Sequence, residues 1–425
     1  MVVTLGTGLL EKSVVQSCTG PHTHVQSHKQ RHKIDKHTLN KTTVSAMYNT
    51  TATHDDDDKS NNNDNDNLTT GPSKSWWEEA KRLLDLAAPL VVIQIGIEIP
   101  QMIVTAIVGR RFDTHCLDAI GLGNMVINMF VLSFLLGLLM ATDTLAPQAY
   151  GAENKRQVGI LAIRGCFVCM AVVLPINTII CLNLEAILLW MGQPALASRY
   201  AADFCRVCLI GIPFNIVYFV GWKFLSAQGI MRPLVVVTVP CFLVILPTSL
   251  HFLTNQFGFV GAAMALDCYL ISQAVLLLGY LGWFQPYEKE TWEGWSVWRE
   301  ALDMKQVHDY AVLAFGGLAA MNEWVVWDGM SVAVGRLGGL PLAIFTIPNR
   351  IGIGMFMFPT GLACALCIRV GNVISQDYRY ARKLMATCIA VGFLGNAVLC
   401  AALYHWRLWI IGMFTSDPVV LEVCA

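Results

Sequence analysis

The feature that most constrains this chain is a series of long apolar runs with short polar segments between them. The stretches 119–142 and 384–406 contain no Asp, Glu, Lys or Arg. A transmembrane helix needs about 20 apolar residues, and only helices or closed barrels satisfy their backbone hydrogen bonds in lipid. Charged residues make up 14% of the chain, against about a quarter in soluble domains. The sequence therefore predicts an all-α polytopic membrane protein.

Nine runs are long enough to be spans. They lie near residues 84–109, 118–146, 158–182, 200–224, 232–253, 258–284, 308–335, 342–368 and 384–406. The apolar stretch 184–192 is too short for a span and is predicted to lie at the membrane interface. Residues 1–75, with a run of four Asp at 55–58, are too polar to bury a core and are predicted to be a disordered tail. We divide the remainder into a six-helix lobe (76–284), a linker (285–307) and a partial lobe (308–425).

The distribution of Lys and Arg predicts the orientation in the membrane, because these residues favour the cytoplasmic side. Fifteen lie next to span one or in alternate loops on that side, against five to seven on the other. The N-terminus is therefore predicted to be cytoplasmic. In the linker, Trp292, Trp295 and Trp298 recur every three residues among charges, which predicts an amphipathic helix in the cytoplasmic headgroup layer.

The chain also contains an internal repeat with an offset of 224 residues. Gln148 onward matches Asn372 onward, and Gln193-Pro194 matches Asp417-Pro418. Six spans per repeat is an even number, so the two repeats are predicted to be parallel about an axis along the membrane normal. Span four should recur from residue 424, but the last residue is Ala425. The sequence thus predicts nine helices of a twelve-helix plan, with the second lobe incomplete.

Several classes of function are disfavoured. A net charge of −1 argues against a nucleic-acid partner. No phosphate-binding glycine loop or catalytic constellation is evident, so we predict that the chain is not an enzyme and needs no cofactor. Three CxxC pairs lie inside apolar runs, and we interpret them as packing residues rather than a metal or redox site. These pairs are Cys166/Cys169, Cys205/Cys208 and Cys364/Cys367.

Five segments together carry a family resemblance. They are 117–124 (LDAIGLGN), 141–152 (ATDTLAPQAYGA), 290–296 (ETWEGWS), 322–328 (NEWVVWD), and 359–372, which opens PTG and closes RVGN. The chain resembles the multidrug and toxic compound extrusion (MATE) family, eukaryotic branch, over about residues 76–425. The resemblance implies two six-helix lobes and cation-driven export of organic compounds by alternating access. Ala146-Pro147 departs from the usual Cys-Gly of the family, and Ser375-Gln376-Asp377 departs from its Gly-Ala-Gly.

Three residues of span seven are candidates for coupling and substrate binding. Glu323 lies deep in the span, where a carboxylate costs about 2.5–3.5 kcal/mol on insertion scales. A carboxyl that alternates between protonated and ionised forms exchanges a proton for an organic cation, and the matching family glutamate is implicated in this coupling. Asp328 matches a second acidic position of the family, although it points about 140° away from Glu323 on a helix. Trp324 is a candidate to stack on a cationic substrate, with helix packing as the alternative.

Other candidates lie outside span seven. Glu98 in span one faces either the central cavity, as a second proton site, or the bundle beside Gln94 and Gln101. Four residues at the loops after spans two and eight are predicted to set lobe closure rather than to contact substrate. These gating residues are Gln148, Gly151, Arg369 and Asn372.

The predicted function is secondary antiport of organic cations, xenobiotics or metabolites against protons, with sodium as the less favoured coupling ion. The alternative is a non-transporting nine-helix fragment or binding subunit, which would follow from an incomplete gene model. The predicted partners are a small-molecule substrate and the lipid bilayer, and we expect a monomer. The plasma membrane and a vacuolar or vesicular membrane remain alternatives for its location.

Overall fold

The computed structural model describes residues 76–112, 114–335, 339–374 and 376–412. The predicted tail, 1–75, and residues 413–425 lie outside this part of the chain. The first lobe contains α1 (Trp76–Arg111), α2 (Thr114–Val126), α3 (Ser133–Gly151), α4 (Lys155–Trp190), α5 (Ala195–Cys208), α6 (Ile212–Ala227), α7 (Arg232–Pro240), α8 (Leu246–Phe257) and α9 (Val260–Phe284). After the linker come α10 (Trp298–Ala301), α11 (Met304–Gly335), α12 (Gly339–Ile374) and α13 (Tyr378–Gly412).

Six helical segments of the described residues are long and apolar enough to cross a membrane: α1, α2–α3, α4, α7–α8, α9 and α13. The pair α5–α6 makes a seventh when it is counted as one bent span. Helices α11 and α12 have 32 and 36 residues, about 48 and 54 Å, and include side chains that the structure does not describe. All nine predicted spans fall on helices, and the all-α polytopic membrane fold is confirmed.

Two spans contain π-helical turns, at Ile127–Leu132 between α2 and α3 and at Cys241–Ile245 between α7 and α8. Such turns disturb the regular hydrogen bonding of a helix and are frequent at functional sites. At the first turn, Ser133 Oγ donates to the Asn128 carbonyl at 2.9 Å, and Asn177 Nδ2 donates to the Phe130 carbonyl at 2.9 Å. Side chains therefore satisfy carbonyls at the point where the backbone departs from a regular α-helix.

Two expectations for the first lobe were wrong. Residues 184–190 are not a separate segment, because α4 continues without a break to Trp190. Span four is not one continuous helix: α5 and α6 meet at a 55° bend over residues 209–211. Pro213 explains the position of this bend, because it has no N–H to donate to the carbonyl of Leu209 four residues earlier.

The linker is not the predicted amphipathic helix. It consists of two 3₁₀ turns, Lys289–Thr291 and Gly294–Val297, followed by the single turn α10. Gly294 has a φ of +77°, which interrupts a regular helix. Trp292 packs on Phe224 with ring centroids 5.7 Å apart, whereas Trp295 and Trp298 are exposed. Two of the three tryptophans thus remain free to meet a headgroup layer.

Ion pairs hold the linker to the start of α4. Lys155 Nζ lies 2.7 Å from Glu288 and 3.3 Å from Glu290. Arg156 lies 3.0 Å from Glu293 and 2.7 Å from Glu300. Hydrogen bonds from Arg156 lower the pKa of Glu300 below its usual value. These ion pairs add to an apolar contact, in which Val297 and Ala301 of the linker are buried against Ile160 and Ile163 of α4.

We expect the linker to loosen in acid. A carboxyl with a lowered folded-state pKa stabilises the fold above its unfolded pKa, about 4.3, and loses that contribution as the pH falls further. Hydrogen exchange of residues 285–303, followed by mass spectrometry between pH 6 and pH 3.5, should therefore speed up beyond the intrinsic pH effect. In Arg156→Gln, exchange should be fast already at pH 6 and this extra acceleration should shrink. If Arg156→Gln had the same pH profile of exchange as the unmodified protein, the ion pairs of Arg156 would not be what holds the linker.

Candidate functional site

The three candidates of span seven all lie on α11, but the side chains of Glu323, Trp324 and Asp328 are outside the described residues. Their roles therefore stay predictions. Glu98 is half-buried on α1. The structure places Gly96, Ile97, Pro100 and Gln101 on the wall of a cavity in the first lobe, and Glu98 is not part of that wall.

The four predicted gating residues are brought to one end of the bundle. Gly151 ends α3 and approaches Asn372 of α12 so closely that a Cβ added to the glycine would lie 2.7 Å from Asn372 Cα. Gln376 Nε2 donates to the Gly151 carbonyl at 3.3 Å. A Cβ on Gly371 would lie 3.5 Å from the Gln148 backbone nitrogen, and Arg369 is buried two residues earlier on α12. We call this region the closed end.

Glycines also allow the two lobes to touch at points away from the closed end. A Cβ on Gly137 of α3 would lie 2.9 Å from Leu318 Cα of α11, and a Cβ on Gly361 of α12 would lie 2.5 Å from Val91 Cγ2 of α1. Both approaches are closer than side chains tolerate, so only glycine fits. We call Gly137, Gly151, Gly317, Gly361 and Gly371 the interlobe seam.

Residues separated by the repeat offset meet each other at the closed end. Cys367 Sγ contacts the Asp143 carbonyl at 3.7 Å, and the two residues are 224 apart. A Cβ on Gly371 would lie 2.6 Å from Pro147 Cβ, again across 224 residues. Positions related by a two-fold rotation touch only where they lie on the axis. The closed end is therefore where the pseudo-two-fold axis of the two repeats passes.

Pro147, one of the departures from the family pattern, has a structural consequence here. A proline lacks an N–H, so the carbonyl of Asp143, four residues earlier, loses its helical donor. Cys367 of the second repeat contacts that carbonyl instead. A thiol of the second lobe thus contacts the carbonyl that the proline of the first lobe leaves without a donor.

A buried ion pair lies beside this contact. Lys223 of α6 is 5% exposed, and its Nζ lies 2.7 Å from Asp143 Oδ2 and 4.3 Å from the ring centroid of Trp222. Nearby, the Tyr310 hydroxyl of α11 reaches into the first lobe and hydrogen-bonds Thr142 Oγ1 at 2.8 Å. Polar side chains of both lobes are therefore paired at the closed end. Lys223 and Tyr310 were not predicted from the sequence, because their partners are distant along the chain and become neighbours only in the folded structure.

A mainly apolar cavity of about 80 Å³, with a few polar groups on its wall, lies inside the first lobe, away from the closed end. Pro100 frees the carbonyl of Gly96, which accepts a hydrogen bond from the Tyr269 hydroxyl at 2.8 Å. The side-chain oxygens of Asn124 and Asn177, on the same wall, are buried and have no hydrogen-bond partner among the described residues. Unsatisfied amide oxygens in a space of this size fit several water molecules. The cavity is too small for a drug-sized compound, which needs about 300 Å³ or more.

The cysteine pairs are distributed over three helices. Cys166 and Cys169 lie on α4, Cys205 and Cys208 end α5, and Cys364 and Cys367 lie on α12. Among the described residues, no three His, Cys, Asp or Glu side chains are arranged to hold a metal ion. Two of these thiols contact a backbone carbonyl at 3.7 Å: Cys205 contacts that of Gly123, and Cys367 contacts that of Asp143 at the two-fold axis.

We expect Gly317→Ala to weaken lobe contact. Its Cβ would lie 2.8 Å from Met140 Cβ and closer still to the Gly137 carbonyl oxygen, so the closed arrangement should lose about 1–3 kcal/mol. Hydrogen exchange at 145–152 and 369–374 should then speed up. Gly316→Ala is the matched control, because a Cβ there meets nothing within 4 Å. Equal effects of the two variants would exclude the seam as the cause.

The ion pair should behave as a unit. Asp143→Leu leaves Lys223 charged and buried, which should cost about 3–5 kcal/mol, whereas the double variant D143L/K223M should recover most of that loss. Thermal unfolding in detergent measures both. Asp203→Leu, which removes the exposed partner of Arg206, should cost about 1 kcal/mol or less. Additive losses in the double variant would show that the pair does not interact.

The comparisons agree with this geometry. The sequence model of the MatE family matches residues 89–250 and 319–425. Multidrug and toxin extrusion protein 1 of Oryctolagus cuniculus is 29% identical over 351 residues, which cover 82% of this chain and 61% of the relative. An uncharacterised transporter of Schizosaccharomyces pombe is 30% identical over 358 residues, covering 81% and 64%. The chain thus spans about three fifths of the length of these relatives.

Solved structures share the fold. The crystal structure of the eukaryotic MATE transporter AtDTX14 superposes with a TM-score of 0.75 at 19% identity, covering 82% of this chain and 77% of that one. The Vibrio cholerae MATE transporter VcmN in its bent form gives a TM-score of 0.69 at 16% identity, covering 82% and 78%. The family match covers more than half of the chain, and its two parts lie on either side of the linker. The chain therefore belongs to the MatE family and is an integral, multi-pass membrane protein of the MATE transporter type.

Proposed function

We propose that this protein is a secondary antiporter that exports organic cations or related metabolites in exchange for protons. The observation that carries the proposal is the interlobe seam, which ends on the two-fold axis at the closed end. At this end the two lobes touch through glycine contacts, hydrogen bonds and a thiol. An interface of this kind can separate as a unit. Separation at this end is what alternating access requires.

Glu323 is the proposed coupling residue. It lies about midway along α11, the helix that contacts α3 through Gly317 and Leu318. From Leu318 to Glu323 is five residues, or about 7.5 Å along the helix. A change of charge at Glu323 would therefore occur close to the seam, on a helix that must move if the lobes separate. Asp328 and Trp324 on the same helix remain candidates to bind the substrate.

The names of the relatives favour export of diverse small molecules: several of them are called multidrug and toxin extrusion proteins. We extend that activity to this chain as part of the proposal. We also propose a cytoplasmic N-terminus, which would place the closed end on the cytoplasmic side. The plasma membrane and a vacuolar or vesicular membrane are both compatible with this arrangement.

Transport in proteoliposomes tests the proposal. A fluorescent organic cation should accumulate against an imposed pH gradient, and a sodium gradient alone should drive little uptake. Glu323→Gln should abolish gradient-driven uptake, because the side chain no longer exchanges a proton. Glu185→Gln is the matched control, since Glu185 lies in the membrane helix α4 and should leave uptake unchanged.

Two results would contradict parts of this account separately. No gradient-driven uptake by the unmodified protein would contradict transport and favour a membrane binding role. Uptake that persists in Glu323→Gln would contradict the coupling role alone. Uptake driven by a sodium gradient but not by a proton gradient would show that sodium is the coupling ion.

A further inference from the structure

A buried carboxylate in the first lobe has no role in the function proposed above. Asp267 is the eighth of the 25 residues of α9 and is 5% exposed. Neither of its side-chain oxygens has a hydrogen-bond partner among the described residues. An isolated ionised carboxylate is costly to bury, so groups of this kind are normally paired, protonated or bound to a cation.

Asp267 faces the break between α5 and α6. A Cβ added to Gly211, the residue before α6, would lie 3.2 Å from Asp267 Cγ and closer still to Oδ1. The glycine is therefore required for the carboxylate to reach the backbone at this point. The side chain is aimed into the 55° bend rather than along a continuous helix surface.

The break supplies the two polar features that ion sites in membrane helices use. The start of α6 has N–H groups with no intrahelical acceptor and carries partial positive charge. On the other side of the break, Pro213 leaves the Leu209 carbonyl without its helical donor. Discontinuous helices in transporters present such N-termini and carbonyls to substrates and coupling ions.

The site is adjacent to the cavity of the first lobe but distinct from it. Cys208, Ile212 and Leu270 line that cavity, and Leu270 also contacts the Gly211 position. Asp267 itself is not part of the cavity wall. The cavity therefore lies within one layer of side chains of the carboxylate, and water entering it would give an ion a short route to Asp267.

The surroundings of Asp267 contain few other ionisable groups. The thiols of Cys208 on α5 and Cys268 on α9 interact with it electrostatically. Helix α1 carries Glu98, two residues from the point where Gly96 meets Tyr269 of α9. In the part of the chain that the structure describes, no Lys, Arg or His forms an ion pair or hydrogen bond with Asp267. Apart from the nearby Gly211 N–H, the carboxylate thus has no fixed cationic partner among these residues, and a mobile ion could neutralise it.

We propose that Asp267 and the α5–α6 break form a second ion-exchange site, in which a monovalent cation, the proton included, neutralises the buried carboxylate. Ionised Asp267 is attracted to the start of α6, and neutralised Asp267 is not. Ion exchange at this site would thus change the bend between α5 and α6. Helix α6 also carries Lys223, which pairs with Asp143 at the closed end, so the bend is connected to the interlobe seam by one rigid helix.

Labelling of the native protein tests the site without a transport assay, so its failure is distinguishable from failure of the proposed function. Dicyclohexylcarbodiimide adds to protonated carboxyls in apolar surroundings, and mass spectrometry locates the product. In lipid vesicles at pH 6, we expect the Asp267 peptide to be labelled several times more than Asp203, which is partly exposed and paired with Arg206. Labelling of Asp267 should fall as the pH is raised to 9.

Added salts identify the ion. Protection by NaCl but not by the chloride of a bulky organic cation would assign a metal cation, and a response to pH alone would assign a proton. Gly211→Ala should change the labelling of Asp267, because the new methyl displaces the carboxylate. Gly279→Ala is the control: it lies on α9 like Asp267, its Cβ would meet nothing within 4 Å, and it should leave the labelling unchanged. Absence of labelling at every pH, without any effect of Gly211→Ala, would mean that Asp267 stays ionised as a fixed partner of α6, and would overturn the proposal.

Discussion

Hydrocarbon provides no hydrogen-bond partners, and this constraint governs the whole molecule. Every backbone carbonyl that a proline or a π turn releases needs another donor or must line a polar space. The structure shows this at three breaks. Tyr269 donates to the Gly96 carbonyl freed by Pro100, Asn177 donates to Phe130 in the π turn, and Cys367 contacts the Asp143 carbonyl freed by Pro147. The break at Gly211 differs, because there a carboxylate without a partner faces it.

These breaks also organise the possible movements. Regular helices are rigid, so a change of shape concentrates where the helix is interrupted and where lobes meet through small contacts. Here the interruption at α5–α6 and the contact at the closed end are joined by α6, which carries Lys223. Ion binding at one point and lobe separation at another thus share a single mechanical element. This link requires no long chain of side-chain contacts.

Much of the fold followed from the sequence because apolar run length and charge distribution are strong signals in membranes. The nine spans and the repeat offset were readable in this way, and the offset gained a physical meaning when Cys367 met Asp143. Local geometry was harder to predict. The bend at Gly211 and the 3₁₀ turns of the linker depend on packing that periodicity does not encode. Lys223 and Tyr310 looked ordinary in sequence, because their importance depends on partners 80 and 168 residues away.

The most direct test of the central claim, that the lobes separate at the closed end, is a distance measured across it. Ala152 and Tyr378 are exposed on its two sides and suit a pair of spin labels. In lipid vesicles we expect two distances between the labels, one short and one longer. The ratio of their populations should shift with pH and on addition of an organic cation. A single short distance under every condition would contradict alternating access at this end of the bundle.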